Sequence, residues 1–235
     1  MDQIFETSDK IGDIVSDFPK ASDVFKKYNI DYCCGGNRTL SAVLENSNIN
    51  ENELMKDLNE ASKETQELAE KVVDWKTASL SELVDHIINT HHRYLENTLP
   101  MLSEITLKVL HAHGINHKEI FRVHKLFNTL KTDLEQHLVV EEKLYFPFIK
   151  EYEKTENRDA LNKAVKVIQQ LESEHETAGN ILKELRDITK HYSLPDDACP
   201  TYERTYNTLE DLESDIFRHV HLENNVLHPR LIKKL

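Results

Sequence analysis

The chain has 235 residues, a net charge of −13, 39% hydrophobic and 30% charged residues, and only 5 glycines and 6 prolines. That composition suits a helical protein with one sizeable core, or a bundle with a small second domain. No run approaches the roughly 20 apolar residues of a membrane span, and an acidic balance without a long basic stretch repels phosphate backbones, so neither membrane nor nucleic acid is an expected partner. The start, Met1 to Glu6, lacks the basic-then-apolar order of a signal peptide, which makes the cytoplasm the expected compartment. Three cysteines, an odd number, argue against a disulfide scaffold.

Residues 1–60 read as a small helical domain. Asp17 can cap a short helix starting near Pro19, with Ala21, Val24, Phe25 and Tyr28 on its apolar face. It runs out before Cys33-Cys34-Gly35-Gly36, where paired glycines permit a tight turn. A second helix is expected from Thr39 or Ser41, and a third from Asn50, with Glu53 placed for a capping box. Residues 61–79, polar and acidic, are the expected linker.

Residues 80–235 read as four long helices. The first runs from Leu80 to His113 and ends at Gly114; the second is capped by Asn116 and continues to Tyr152. The third spans Asp159 to Tyr192 and stops before Pro195, and the fourth opens at Pro200-Thr201 and runs nearly to Leu235. Short connections between helices of this length predict an all-α, up-down-up-down four-helix bundle.

Ligand-type residues interrupt the apolar stripe of every one of these helices. The second carries Val123, Phe127, Leu130, Leu134, His137, Glu141, Leu144 and Phe148; the fourth Leu209, Leu212, Ile216, His219, Glu223 and Val226. In the third, His175 stands between Leu171 and Ala178. In the first, His92 continues into Leu95, Leu99 and Leu102, whereas His91 leads to Tyr94 and Thr98, so His92 is the expected ligand. The motif His137-x3-Glu141-x5-Pro147 recurs as His219-x3-Glu223-x5-Pro229, 82 residues on (219 − 137), and His92 and His175 stand 83 apart (175 − 92). A single His-x3-Glu pair is a weak signal, because most such pairs are surface neighbours. Six residues on four stripes, in duplicate, are a strong one. Two glutamates buried as ions without Lys or Arg in their stripes would cost several kcal/mol each, a penalty that two bound cations remove. Imidazole with carboxylate suits iron, with manganese and zinc also compatible.

This pattern is similar to hemerythrin-like domains. With Asp31-Tyr32-Cys33-Cys34-Gly35-Gly36 and His219-Val220-His221-Leu222-Glu223-Asn224-Asn225, the whole chain resembles the Repair of Iron Centres family of di-iron proteins. The resemblance implies two non-haem iron ions, oxo- or hydroxo-bridged, on His92, His137, Glu141, His175, His219 and Glu223. It further implies repair of iron–sulphur proteins damaged by oxidative or nitrosative stress, by iron donation. Nitric oxide or oxygen would be small ligands, and some members form homodimers, which the sequence neither supports nor opposes. Two other readings stand beside it: a di-iron enzyme reducing nitric oxide or oxygen, and a sensor or iron store. Oxygen-carrying hemerythrins have a further histidine one turn after the third-helix ligand and an Asp bridge; here Gly179 and Glu223 stand there, so a more open centre with more labile iron is expected. Cys33 and Cys34, being adjacent, are expected to point their side chains apart, with one thiolate touching a cluster, iron in transit or a partner thiol. Glu142 and Glu174 adjoin ligands and are candidates for outer contacts. His113 lies near the first bundle turn with His111 and His117, a group read as a solvated loop.

Overall fold

The computed structural model describes residues 4–67 and 73–235, the side chains of 64–67 excepted. Among these residues every regular element is helical, and the only β-type pairing is an isolated bridge between Lys10 and Thr39. None of the described helices is long and apolar enough to cross a membrane. The chain divides into two compact units, one running to Leu83 and including Phe217–Leu235, the other Val84–Ile216.

In the first unit α1 (Ile11–Asp17), α2 (Ala21–Lys27), α3 (Leu40–Glu45) and α4 (Glu51–Glu67) surround Ile11, Phe25, Leu40, Leu54 and Leu58, all fully buried. Thr39 caps α3 by accepting from Ala42 N–H, and the Asn50 side chain accepts from the N–H groups of Asn52 and Glu53 at the head of α4, as expected of such residues at helix starts. Two expectations fail. Asp17 caps nothing: it is the last residue of α1, a helix that the sequence pattern does not announce, and α2 begins at Ala21 without a side-chain cap. Helix α4 also continues past residue 60 to Glu67, into the expected linker, of which 68–72 lie outside the described residues.

The second unit is built from four helical stretches whose side-chain pairings run in opposite senses. Ser103 and Thr106 of α6 (Arg93–His113) meet Asn128 and His124 of α7 (Glu119–Val140). Arg122 and His137 of α7 meet Glu184 and Glu174 of α9 (Arg158–Ile188). Arg186 on α9 pairs with buried Glu213 on α10 (Pro200–His221), and His91 and His113 meet Asp215 and Tyr202, closing the ring of four. Rising numbers on one helix match falling numbers on the next, which is the up-down-up-down bundle expected. Helix α7 opens at Glu119 without a side-chain cap, and Asn116 instead belongs to the turn, its N–H donating to His113 C=O. Helix α9 ends at Ile188; Lys190, His191 and Tyr192 take left-handed φ values of 51°, 58° and 57° and turn the chain before Pro195.

Three of the long helical runs are not plain α-helices. Wider turns interrupt them at π1 (Ile88–His92), which follows α5 (Leu80–Ile87), at π2 (Glu141–Tyr145) and at π3 (Leu222–Leu227). Each closes with a bond spanning five residues: Arg93 N–H to Ile88 C=O, Phe146 N–H to Glu141 C=O, and His228 N–H to Glu223 C=O. After π2 and π3 the α-helix resumes as α8 (Phe146–Thr155) and α11 (His228–Ile232), each with the repeated proline, Pro147 or Pro229, in its first turn. A proline has no N–H to give to the residue four back and its ring crowds that carbonyl, so it suits a restart and not a continuous turn. The extra residue in π2 rotates the helix beyond it. Leu144, expected inside, is 50% exposed and Phe148 half-buried, while Tyr145, Phe146 and Ile149 fill the core.

Candidate metal centre

Three of the six candidate ligands lie in the wider turns. His92 is the last residue of π1 and Glu141 the first of π2, while Glu223 lies in π3; such turns recur at functional sites because they re-aim side chains without ending a helix. His175 alone sits on an uninterrupted helix, α9.

In the second unit four of the six expected ligands converge. Glu141 is fully buried, with one carboxylate oxygen 3.2 Å from His137 Nε2 and the other 3.3 Å from His92 Nε2. His175 Nε2 lies 3.0 Å from His137 Nε2, and donor atoms of His137, Glu141 and His175 all fall within 4.8 Å of one another. The far side of each outer ring is held by a carboxylate: His137 Nδ1 donates to Glu174 at 2.7 Å and His92 Nδ1 to Glu142 at 2.9 Å. A Nδ1–H so engaged leaves the Nε2 lone pair aimed inward and raises its basicity. Phe146 stacks on His92, with centroids 5.6 Å apart.

This donor set fits a cation. The two Nε2 atoms of His137 and His175 stand 3.0 Å apart, close to the separation of about 3 Å between nitrogens that are each about 2.1 Å from one shared metal. A buried carboxylate between imidazoles supplies the negative charge that such an ion requires.

In the first unit His219 Nε2 and Glu223 Oε1 lie 3.5 Å apart, one turn along the same helical run, and both residues are buried. The same run grips the cysteine turn. Asn225 Nδ2 donates to the C=O groups of Cys33 and Tyr32 at 2.9 and 3.3 Å. A Cβ added at Gly12 or Gly36 would overlap the Asn225 carboxamide, so these glycines serve close approach. The expected turn forms at this point, with Arg38 N–H donating to Gly35 C=O, and it does so without a positive φ at any described glycine. His221 faces Tyr32, Ser16 and Asn225, and burial pushes its pKa down to about 4.

The cysteine side chains do not diverge, contrary to expectation. Their sulphurs are 3.9 Å apart, and Asp31 Oδ1 accepts from the Cys33 thiol and from the N–H groups of Cys33, Cys34 and Gly35. One carboxylate gathering three successive amides curls the turn until both thiols face one side. Cys33 is buried and Cys34 half-buried; burial, then the Cys34 sulphur, drive the Cys33 thiol well above its usual pKa.

His91, passed over as a ligand, is as buried as its neighbour, and its Nδ1 bonds Asp215 at 2.9 Å. Nothing in the stripe of π1 signals this, because the wider turn brings two successive residues inward at once. Glu142 and Glu174 do contact ligand-type histidines. Of the three histidines read as a solvated loop, only His111 is exposed; His113 and His117 are half-buried, at and just beyond the far end of α6.

Comparison with known proteins bears on both units. Residues 7–62 match a family described as a domain of unknown function (DUF542), and residues 83–231 match the Hemerythrin HHE cation binding domain. The chain is 34% identical over 224 residues, covering 94% of it and 96% of the relative, to an iron-sulfur cluster repair protein YtfE from Enterobacter sp. (strain 638). Proteins of the same name from Citrobacter koseri and from Escherichia coli O1:K1 / APEC are 33% and 34% identical over the same length.

Proposed function

The chain belongs to the iron–sulphur cluster repair proteins with a hemerythrin HHE cation binding domain, and from that premise we propose that it holds two non-haem iron ions and donates iron to iron–sulphur proteins damaged by oxidative or nitrosative stress. The ligands are His92, His137, Glu141 and His175 from one compact unit, and His219 and Glu223 from the other. The observation that carries the reading is the pair of Nε2 atoms on His137 and His175, 3.0 Å apart beside a fully buried Glu141. When bound, iron supplies a redox-active, exchangeable cation from which a cluster is rebuilt.

The protein's own residues orient and shield. Glu174 and Glu142 fix two imidazoles from behind, and Phe146 covers the His92 ring and excludes water. Gly179, one turn beyond His175, offers no fifth imidazole, which leaves the centre open to small ligands and its iron easier to give up. Cys33 and Cys34 are the thiol contacts for a cluster or for iron in transit, and the half-buried Cys34 makes the first contact. The proposed division is a cysteine domain that runs to the end of α4, a linker from there to residue 79 and a di-iron domain over 80–235, acting in the cytoplasm.

The test gives the iron-loaded protein to an iron–sulphur enzyme inactivated by nitric oxide, while nitric oxide consumption is followed in parallel. Recovered enzyme activity with matching loss of donor iron is expected. Sustained nitric oxide turnover without iron loss would replace donation with catalysis, and stoichiometric zinc in place of iron would remove the di-iron assignment.

A further inference from the structure

Helix α6 spans 21 residues from the end of π1 to His113, so His113 lies roughly 30 Å along the helix from His92 at 1.5 Å per residue. At that remote end, wholly inside the second unit, one donor atom each from His113, His117 and Asp197 falls within 4.8 Å of the others. His117 Nε2 is 2.8 Å from Asp197 Oδ1, and His117 Nδ1 is 3.3 Å from Glu119 Oε1. Both ring nitrogens of His117 thus face carboxylates, and a neutral imidazole donates to only one of them. A cation at Nε2, with Nδ1–H donated to Glu119, satisfies both sides and repeats the carboxylate–imidazole–metal arrangement that orients metal ligands.

The rings have a common floor. Tyr202, itself buried, meets His113 edge-on at 5.2 Å and His117 at 5.8 Å, and its hydroxyl donates to Tyr206. The two imidazoles are 6.1 Å apart at their centroids, and no described group hydrogen-bonds a ring nitrogen of His113. Asp197 stands in the turn closed by Ala198 N–H donating to Pro195 C=O.

We propose that His113, His117 and Asp197 form a separate mononuclear site for one divalent cation of the zinc or ferrous class, with water in its remaining positions and Glu119 as the positioning carboxylate. Two imidazoles and one carboxylate favour this class over calcium or magnesium, which take oxygen donors, and over cuprous ion, which takes thiolates. The net charge of −13 favours cation uptake in general. The site is independent of the proposed di-iron centre in its residues and its position.

The decisive experiment titrates the iron-loaded protein with zinc chloride by calorimetry, followed by desalting and metal analysis. One zinc per chain is expected at unchanged iron content. Asp197→Asn and His117→Ala should each weaken zinc binding at least about tenfold, since each removes one of three ligands, and His113→Ala/His117→Ala should abolish it, all with parental iron content. No zinc beyond that displacing iron, or equal uptake by the double variant, overturns the proposal. Should the double variant lose iron, Asp197→Asn decides, because Asp197 is 57% exposed on a surface turn; undiminished zinc affinity there overturns the site.

Discussion

Glu174 grips His137 from behind at 2.7 Å and is itself bonded by Gln170, so its loss frees the ring without removing a ligand. Glu174→Ala should weaken iron retention against a chelator about ten- to hundredfold, with Glu174→Gln, which still accepts the Nδ1–H, falling between variant and parent. Retention equal to the parent's would make Glu174 a surface charge only. The two thiols should separate as sharply. Cys33 is buried with its pKa driven up, so iodoacetamide should modify Cys34 first and Cys33 about tenfold or more slowly, as mapped by mass spectrometry of partly alkylated protein. Comparable rates at both would show that the turn opens in solution. The sequence carried the ligand-type residues themselves, because each continues an apolar stripe. It did not carry the convergence of the thiols, which depends on Asp31 collecting three amides in a turn with no periodic signal.

At the scale of elements, the expected caps form at Thr39 and Asn50 and fail at Asp17 and Asn116, although the helices they were to open are present. The helices depart from expectation where a wider turn shifts the register. A stripe read at α-helical spacing runs true through His137 and Glu141 and then miscounts by one, which is why Leu144 lies outside and Tyr145 inside. The repeated prolines were legible, yet their meaning as restart points was not, because a proline in a first turn looks the same after a loop or after a π segment. Helix α1 escaped notice since it is seven residues long and held largely by contacts distant in sequence, among them Gly12 N–H donating to Gly36 C=O. Those contacts carry a prediction. Gly36→Ala places a methyl group against the Asn225 carboxamide and should destabilise the protein by about 1–3 kcal/mol in chemical denaturation. The same change in an Asn225→Ala background should cost markedly less, the non-additivity expected of residues in contact; additive losses would mean that the overlap is relieved elsewhere.

For the whole molecule, the six proposed ligands divide four and two between the compact units. An ion that binds only the folded form stabilises it in proportion to the logarithm of its concentration over its dissociation constant, about 4 kcal/mol at a thousandfold excess. Stripping the iron should therefore lower the melting temperature, and ferrous ion should restore it; an unchanged melting curve would place iron outside the folded core. The architecture was legible as four helices with duplicated donors. The division of the chain into units was not, since it falls within α10, where the sequence shows no break. One detail of the wider turns makes occupancy readable by isotope. The amide hydrogens of Phe146 and His228 are bonded to the carbonyl oxygens of Glu141 and Glu223, so the backbone of each glutamate clamps one slow proton. When iron leaves and the glutamates relax, those two amides should take up deuterium faster while the later turns of α8 and α11 keep their pace. With one such reporter in each unit, the emptying of either half registers as its own clock.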